Sequence, residues 1–343
     1  MTRHWRLLLP LSLLGVAVVL VIFRGPDWGL VHDAFSAVTW EWVAAAIGLN
    51  LLSVLTRAVA WDTAIKQSIA PPHPKFPLVF SAFSVGLFAN AVLPGRVGEL
   101  ARVAVLRRRL AGRKGTAATL VGSVFAHRMF DLFPALTLVV WVILTAKIPH
   151  WALTSIAIFV VVGVTLFLTA VFLAHRQHRE LEELGRIRAL LSRARQGLAI
   201  MRAPVPAATA ASFQFAGWVC QLFAVWAAME AFDIHLPSSA AGLVLVLMNV
   251  ATIFPLWPGN FGLVQIAVAF PLVNYHVAYA HGVAFGIGLQ AIEASVGVGV
   301  GLVFLAREGL SYATLRDMEE PNGENGGEEV VAKRLDDRAR VAG

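Results

Sequence analysis

The residues most able to do chemistry are polar side chains that interrupt long apolar stretches. Asn90, Arg96, Glu99 and Arg102 fall within 13 residues, directly beside a Pro-Gly break. Charged groups are costly in apolar surroundings unless they are paired, so such a cluster marks a candidate site. A second cluster, His127, Arg128 and Asp131, interrupts the next apolar stretch.

The first cluster is suited to binding an anion. The break at Pro94-Gly95 predicts a helix that begins near Val97, and the amides and dipole of a helix N-terminus attract negative charge. Arg96 lies beside them and could hold a phosphate through two parallel hydrogen bonds. The alternative is structural, because Glu99 and Arg102 are three residues apart and could pair with each other.

Other ionisable residues also allow two interpretations. Arg128 and Asp131 are three residues apart, so they form either an ion pair or a ligand contact. Arg57 lies late in its apolar stretch, where its side chain is expected to extend to the membrane surface. Glu293 is the one acid deep in the last apolar stretch and shares a helix face with Gln290. It could relay protons or pair with an arginine from the first half.

The sequence has no positive sign of catalysis. It contains one cysteine, Cys220, and neither a CxxC pair nor a G-x-S-x-G, an H-E-x-x-H or a glycine-rich nucleotide loop. We therefore predict no catalytic residue, no metal site and no cofactor. The net charge is +7, but no basic soluble domain is present to bind nucleic acid.

The elements that position these residues are membrane helices. The chain is 58% hydrophobic and 14% charged, whereas a soluble domain is about 25% charged. Several apolar windows are long enough to cross a hydrocarbon core of about 30 Å. The predicted spans are 7–23, 43–61, 117–145, 151–174, 207–232 and 277–305. The class is an all-α integral membrane protein with about six transmembrane helices.

Two further apolar stretches, 76–93 and 239–273, are predicted not to cross. Basic residues favour the cytoplasmic side, which places both termini inside and leaves each of these stretches with both ends on one face. Each should therefore form a re-entrant hairpin, turning at Pro94-Gly95 and at Pro258-Gly259.

The two turns share the pattern P-G-x-x-G, 164 residues apart, which is completed by Gly98 and Gly262. Hairpins entering from opposite faces are typical of an inverted-topology repeat, and Asn260 and Gln265 follow the second turn as Arg96 and Glu99 follow the first. The alternative is two ordinary interhelical turns, because Pro-Gly is a common turn dipeptide.

The membrane domain is predicted to cover residues 1–306, with 7–174 as its first part and 207–306 as its second. Between them, 175–203 has apolar residues at helical spacing and several arginines. It is predicted to be a cytoplasmic amphipathic helix, either on the inner leaflet or packed as a linker. Residues 307–343 are charged and glycine-rich, so they are predicted to be a disordered cytoplasmic tail.

The ordered motifs resemble a known family. They are Asn90-x-x-x-Pro94-Gly95-Arg96-x-Gly98-Glu99-x-x-Arg102, His127-Arg128-x-x-Asp131, and Pro255-x-x-Pro258-Gly259-Asn260-x-Gly262-x-x-Gln265. Together they are similar to the lysylphosphatidylglycerol synthase transmembrane, flippase-like family, over roughly residues 5–306. The family often has Glu where this chain has His127, so an acid role at that position is in doubt. Two-part members carry a cytoplasmic transferase domain, where this chain has a short tail.

The resemblance implies a translocase that moves a phospholipid or lipid-linked intermediate with a charged headgroup across the cell membrane. The expected headgroup-binding residues are Asn90, Arg96, Glu99, Arg102, Arg128, Asp131, Asn260, Gln265 and Glu293. Expected partners are anionic phospholipid or polyprenyl-linked lipid, with a separate lipid-modifying enzyme as a further candidate and no nucleic acid. Two alternatives remain open: a membrane-embedded glycosyl or aminoacyl transferase, and a non-transporting partner of such an enzyme.

Overall fold

The computed structural model describes residues 25–93, 97–110, 116–148, 199–252 and 260–307, together with Thr154 and Val161. Within them it contains nine α-helices, two short 3-10 helices (Ala199–Arg202 and Val273–Tyr275) and no strand. The predicted all-α class is confirmed. The predicted spans 7–23 and 151–174, most of the amphipathic segment and the C-terminal tail lie outside the described residues, apart from Thr154 and Val161.

The helices follow the predicted apolar stretches. They are α1 (Trp28–Ser36), α2 (Trp40–Ser68), α3 (Phe76–Val92), α4 (Gly98–Arg109), α5 (Thr116–Thr145), α6 (Pro204–Ala231), α7 (Ser238–Ala251), α8 (Leu263–Leu272) and α9 (Tyr279–Arg307). Four of them, α2, α5, α6 and α9, are long and apolar enough to cross a membrane. They correspond to four of the six predicted spans, so the chain is a multi-pass membrane protein.

Each of the two predicted turns lies between two short helices: the stretch 76–93 is one helix followed by a second beyond Pro94-Gly95, and the stretch 239–273 is itself broken into two. α3 and α4 lie on either side of the first turn and pack against each other, and α7 and α8 do the same around the second. The turn residues Pro94, Gly95, Pro258 and Gly259 lie outside the described residues, as does Arg96. The helix breaks are where the sequence placed them, and re-entry from one membrane face stays a prediction.

Small residues let the first pair of helices come close together. A Cβ at Gly98 of α4 would overlap the carbonyl oxygen of Gly86 on α3 and the side chain of Asn90. Side chains that small at a helix contact are typical of membrane proteins, where helices associate through close packing. Gly98 therefore fixes how near α4 lies to α3.

The two long helices α2 and α6 run antiparallel along each other. The amide of Thr39 donates to the carbonyl of Ala231 (3.0 Å), so the start of α2 lies beside the end of α6. Trp42 and Trp226 stack edge to face with centroids 5.6 Å apart. At the other end, Ala60 and Ala64 of α2 share an apolar cluster with Ala210 of α6.

The centre of this pair joins residues that correspond in the two halves. The hydroxyl of Ser53 donates to the carbonyl of Gly217 (2.8 Å), and these residues are 164 positions apart, the same offset that separates the two P-G-x-x-G motifs. Both lie near the middle of their helices. When two antiparallel helices are related by a two-fold axis, residues that correspond in the two helices come together near the axis. The contact between Ser53 and Gly217 therefore gives α2 and α6 the arrangement expected of two oppositely oriented copies of one repeat.

Packing between the halves follows the same pattern. α3 of the first half packs against α9, and its counterpart α7 packs against α5. One apolar core cluster is built mainly from α6 to α9, the other mainly from α2 to α5. The long helices α2, α5 and α9 contribute to both clusters, which holds the halves together.

One helix was not predicted. The sequence interpretation treated the residues between the first two spans as a loop, whereas the structure has α1 there, packed against α9. The Asp27 carboxylate accepts hydrogen bonds from the amides of Gly29 (2.9 Å) and Leu30 (3.3 Å), which caps the helix. The charged residues of this segment were used only to assign membrane topology, so the helix was not predicted.

Candidate functional site

A polar cavity of about 210 Å³ lies between the long helices and the first short pair. α2, α3, α4, α5, α6 and α9 all contribute to its wall. Its ionisable and amide side chains are those of Asn50, Arg57, Asn90, Glu99, Arg102, His127, Arg128, Asp131, Gln221 and Glu293. The structure therefore brings together six of the nine predicted headgroup-binding residues: Asn90, Glu99, Arg102, Arg128, Asp131 and Glu293.

Arg128 on α5 joins two carboxylates on different helices. Its Nη2 contacts Glu99 Oε1 on α4, and its Nη1 donates to Asp131 Oδ2 at 3.2 Å. Of the two alternatives for Arg128 and Asp131, the structure contains the ion pair. Glu99 pairs with Arg128, and no ion pair links it to Arg102 among the salt bridges of the described residues.

Asp131 accepts three hydrogen bonds. Its Oδ2 accepts from Arg128, and its Oδ1 accepts from Trp218 Nε1 (2.9 Å) and from Gln214 Nε2, both on α6. The side chain of Gln214 is buried. These donors fix the orientation of the carboxylate at the cavity wall.

Arg102 differs from Asp131, because part of its side chain has no hydrogen-bond partner in the described residues. It is 5% exposed, its guanidinium carbon lies 4.7 Å from the ring centre of Trp61 and 5.6 Å from that of Phe83, and it lines the cavity. Its Nε and Nη2 have no hydrogen-bond partner in the described part of the chain. Buried donors are normally paired, so an unpaired guanidinium edge at a cavity wall is a position for an acceptor.

Arg57 points into the cavity, and the prediction that it extends to the membrane surface is wrong. Its Nη2 donates to Gln221 Oε1 (2.6 Å) and its guanidinium lies 5.2 Å from the centre of Trp218. Gln221 Nε2 in turn lies 3.5 Å from Glu293 Oε1. The span was predicted to end at residue 61, but α2 continues to Ser68, which leaves Arg57 well inside the helix.

The start of α4 is partly occupied by the protein itself. The Gly98 amide donates to Asn90 Oδ1 at 2.8 Å, and Asn90 Nδ2 lies 3.4 Å from Glu99 Oε2. Asn90 therefore caps α4 and positions Glu99. The predicted anion contact through Arg96 falls outside the described residues.

Asn260 and Gln265 do not line this cavity. Asn260 has a left-handed backbone (φ 45°) and its Nδ2 donates to the carbonyl of Ala251 (3.0 Å). Gln265 Oε1 accepts from the Gly262 amide, and its Nε2 donates to Gln290 Oε1; both distances are 2.6 Å. Asn260 therefore joins the segment before α8 to the end of α7, and Gln265 joins α8 to α9. Their contact with a headgroup stays a prediction.

The cavity lies at mid-length of the long helices. Arg128 is the thirteenth of the 30 residues of α5, about 18 Å from its start, and Glu293 is near the middle of α9. The Arg128 side chain lines the cavity and is 48% exposed. On the same helix face, Phe125 and Leu132 are exposed as well. An exposed arginine of the cavity wall is therefore flanked by apolar side chains.

Several cavity residues were missed by the sequence interpretation. They are Asn50, Ser53 and Gln221, and two further residues, Gln214 and Trp218, contact Asp131 from behind the cavity wall. All five lie on α2 and α6 in apolar stretches where single polar residues carry little information. One signal was present: Asn50 and Gln214 are 164 residues apart, like the two P-G-x-x-G motifs. A search for polar residues at that offset would have found this pair.

Comparison with known proteins agrees with the motifs. The family model described as "Lysylphosphatidylglycerol synthase TM region" matches residues 7–301 of the chain. The chain belongs to this family. The lysylphosphatidylglycerol synthase TM family match includes every described residue that lines the cavity, and both helix pairs. No curated protein sequence and no solved structure matches the chain.

Proposed function

We propose that this protein is a lipid translocase that moves a phospholipid or lipid-linked intermediate with a charged headgroup between the leaflets of the cell membrane. The headgroup would pass through the cavity lined by Arg102 and Arg128, and the acyl chains would stay in the lipid. Both termini would be cytoplasmic, as basic residues at the ends of the spans predict.

The observation that carries the proposal is an arginine that lines the charged cavity and is also exposed on an apolar helix face. Val121, Phe125, Arg128, Leu132 and Leu136 are spaced by three and four residues along α5, and all of them are exposed. Arg128 turns from this stripe toward Glu99 and Asp131 inside the cavity. A lipid is the ligand class that needs a polar cavity and an apolar surface side by side.

The position of the cavity supports the same function. It includes Ser53, which contacts its counterpart Gly217 at the centre of the antiparallel α2–α6 pair. Transporters built from inverted repeats bind their substrate near the bilayer midplane, at the interface between the repeats. A site at mid-length of the spanning helices is one that a headgroup would pass while crossing.

The short helix pairs fit re-entrant hairpins in this proposal. α4 has 12 residues and α8 has 10, which gives lengths of about 18 Å and 15 Å. Neither crosses a hydrocarbon core of about 30 Å alone. Each pair would enter and leave on one face, and the first would carry Glu99 and Arg102 to the cavity.

Lipid movement in reconstituted vesicles tests the proposal. The full chain is placed in liposomes containing a lipid with a fluorescent tail label and an anionic headgroup, and a membrane-impermeant reductant is added outside. Protein-free vesicles should lose about half of the fluorescence, because only the outer leaflet is reached. Vesicles with the protein should lose nearly all of it. Equal losses in the two preparations would contradict translocation.

Lipid analysis of a deletion strain distinguishes the enzyme alternative. Loss of a translocase changes the leaflet in which a lipid resides and leaves its total amount the same. Loss of a transferase removes a lipid product from the total extract. We expect an unchanged total lipid profile with an altered fraction accessible at the outer surface.

A further inference from the structure

We infer that Glu293 is a proton-binding site, which takes up a proton when a headgroup of net negative charge enters the cavity and carries it across with the lipid. This inference rests on the proposed function and adds its energy coupling, because a pH gradient can then drive the lipid. Glu293 lines the cavity and lies near the middle of α9. Ionisable groups at such a depth commonly mark proton pathways.

Glu293 can gain or lose a proton without breaking an ion pair. Glu99 and Asp131 both contact Arg128, whereas Glu293 has no salt bridge to an arginine in the described part of the chain. Its Oε1 lies 3.5 Å from Gln221 Nε2. A side-chain amide can donate to a carboxylate and accept from a carboxylic acid, so this neighbour suits both protonation states.

Gln221 links Glu293 to an arginine that also faces the cavity. Gln221 Oε1 accepts from Arg57 Nη2 at 2.6 Å, and the buried Nε of Arg57 has no hydrogen-bond partner among the described residues. Arg102 has two such donors, Nε and Nη2. Both arginines line the cavity, so a phosphate that enters it lies beside two cations whose hydrogen bonds are incomplete.

Proton binding and phosphate binding favour each other in this arrangement. A phosphate beside Arg57 repels a carboxylate on Glu293, because like charges that are close together do not both stay ionised at low cost. Arrival of the phosphate therefore favours the protonated acid. By reciprocity, a protonated Glu293 raises the affinity of the cavity for the anion.

The formal charges of the cavity give the number of protons. The wall carries three arginines and three acids, namely Arg57, Arg102, Arg128, Glu99, Asp131 and Glu293. A monoanionic headgroup adds one negative charge, and uncompensated charge is costly at this depth. One proton on Glu293 removes it. A zwitterionic headgroup brings its own cation, which can face the Glu293 carboxylate instead, and therefore needs no proton.

The charged and titratable groups that face Glu293 across the cavity come from three helices. α2 contributes Arg57, whereas α3 and α6 contribute the amides of Asn90 and Gln221. α8 contains no charged or titratable residue, and those of α1 do not line the cavity. The remaining groups, from α4 and α5, are Glu99, Arg102, His127, Arg128 and Asp131.

His127 is the competing acceptor for the proton. Its buried Nδ1 has no hydrogen-bond partner in the described residues. Its ring lies edge to face with Phe83, and the Arg102 guanidinium lies 5.6 Å from the centre of that same ring. A charged imidazole would therefore add a second cation close to Arg102, whereas a protonated Glu293 is neutral. This difference favours Glu293.

Glu293 lies between the two short helix pairs. α9 contacts α8 through Gly286, beside Gln265, and contacts α3 through Gly301, beside Phe88. Glu293 is seven residues from Gly286 and eight from Gly301. In the proposed function the two pairs enter from opposite membrane faces, so a proton and a lipid bound at this position can be released to either face.

Proton movement in reconstituted vesicles tests the inference. Vesicles with the full chain contain a trapped pH-sensitive dye, and a potassium ionophore with equal potassium on both sides cancels the membrane potential. Tail-labelled phosphatidylglycerol is added to the outer leaflet. We expect the lumen to acidify as this lipid enters, by one proton per lipid as the charge count requires. Zwitterionic phosphatidylcholine should enter without acidification, and protein-free vesicles give the background.

Glu293→Gln should separate proton movement from lipid movement. The amide is always neutral, so phosphatidylglycerol still enters, but acidification falls at least tenfold. Glu293→Asp keeps an acid at the position and should retain acidification. Glu41→Gln, at the exposed start of α2, is the matched control and should behave like the native protein.

The outcomes separate this inference from the proposed function. If phosphatidylglycerol enters and the lumen of native vesicles keeps its pH, the inference is wrong and translocation stands. If Glu293→Gln still acidifies the lumen, the proton binds elsewhere, with His127 as the next candidate, and the assignment to Glu293 is wrong. If phosphatidylglycerol enters no faster than in protein-free vesicles, translocation is wrong, and binding decides the inference.

Calorimetry in detergent measures proton uptake without transport and also detects a variant that fails to fold. Dihexanoyl phosphatidylglycerol is titrated into the protein in two buffers that differ in ionisation enthalpy. We expect the binding enthalpy of the native protein to depend on the buffer, which reports proton uptake, and that of Glu293→Gln to be independent of it. Equal enthalpies for the native protein, or a buffer dependence that Glu293→Gln retains, would overturn the inference.

Discussion

Arg128 lies near the middle of α5 and has exposed apolar neighbours on its own helix face. Its guanidinium nevertheless contacts the carboxylates of both Glu99 and Asp131. A cation at this depth is costly unless its partners are close. Here one cation is shared by a carboxylate from the first short helix pair and a carboxylate on its own helix. Arg128 therefore connects α4 to α5 at the cavity wall.

Arg128→Ala should destabilise the protein. Two carboxylates would lose their counterion, which for a half-exposed cation costs about 1–3 kcal/mol. Adding Glu99→Gln to Arg128→Ala should recover part of this loss, because one uncompensated charge is removed. Thermal unfolding in detergent measures both variants. A double variant no more stable than Arg128→Ala would contradict the shared-cation interpretation.

Glu293→Gln should remove the pH dependence of lipid movement. Glu293 has no ion pair to an arginine in the described residues, so it can carry a proton while Glu99 and Asp131 stay paired. If a protonated Glu293 accompanies an anionic headgroup, the native rate falls as the pH rises, and the variant, which stays neutral, keeps a constant rate. The charged or titratable groups that share its cavity are Arg57 on α2, Glu99 and Arg102 on α4, and His127, Arg128 and Asp131 on α5. The labelled phosphatidylglycerol assay at several pH values measures this.

The control for this prediction is Glu41→Gln, at the exposed start of α2, which should keep the native pH profile. A Glu293→Gln variant with the native profile would assign the pH dependence to another group, such as His127. Its buried ring has an unpaired Nδ1 and lies edge to face with Phe83.

At the scale of single residues, the sequence indicated which side chains belong to the cavity more fully than it indicated which of them pair with each other. Costly polar residues in apolar stretches are visible in the sequence, so Glu99, Arg102 and Arg128 were found. Pairing depends on which helices meet, and Glu99 had a nearer candidate in Arg102 than in Arg128, 29 residues away. Contacts across helices could not be derived from spacing along one helix.

Helices and turns were predicted more fully, because length and apolar content determine them directly. Gly98 and Gly262 differ in a way that length and apolar content do not predict. They occupy corresponding places after the two turns, but Gly98 is needed because Gly86 and Asn90 crowd it, whereas Gly262 is needed because its φ is 88°. One shared motif thus meets two different physical requirements.

Gly98→Ala should destabilise the first helix pair. The added methyl group would meet the Gly86 carbonyl, which is backbone and cannot move aside cheaply, so we expect a loss of about 1–3 kcal/mol. Gly299→Ala on α9 is the control, because a Cβ there meets nothing within 4 Å. Thermal unfolding in detergent compares the two. Equal stability would show that α3 and α4 separate readily.

At the scale of the whole molecule, the antiparallel pairing of α2 and α6 determines where the cavity can be. Ser53 and Gly217 meet at the middle of both helices. Both halves therefore contribute polar residues at the same position along the α2–α6 pair. The cavity is nevertheless asymmetric: its ionisable side chains come mostly from the first half, and Glu293 is the acid that the second half supplies. An arrangement of similar halves with different side chains suits a headgroup of definite charge.

Labelling with a membrane-impermeant maleimide tests the opposite orientation of the halves. In a Cys220→Ala background, His73→Cys follows α2 and His235→Cys follows α6, and both positions are exposed. We expect His73→Cys to react only from the cytoplasmic side and His235→Cys only from the outside. Reaction of both from one side would contradict the inverted repeat.

The central claim is that lipid headgroups pass through this cavity, and filling the cavity tests it most directly. Gly297 lines the cavity, and the nearest atom to an added Cβ is the Ala91 Cβ at 3.9 Å, so Gly297→Phe places a ring in the cavity space. Gly299→Phe adds the same ring two residues along α9, where the surroundings are open. In the vesicle assay with labelled phosphatidylglycerol, we predict that Gly297→Phe abolishes lipid movement while Gly299→Phe keeps the native rate. Native movement by a folded Gly297→Phe variant would contradict the account.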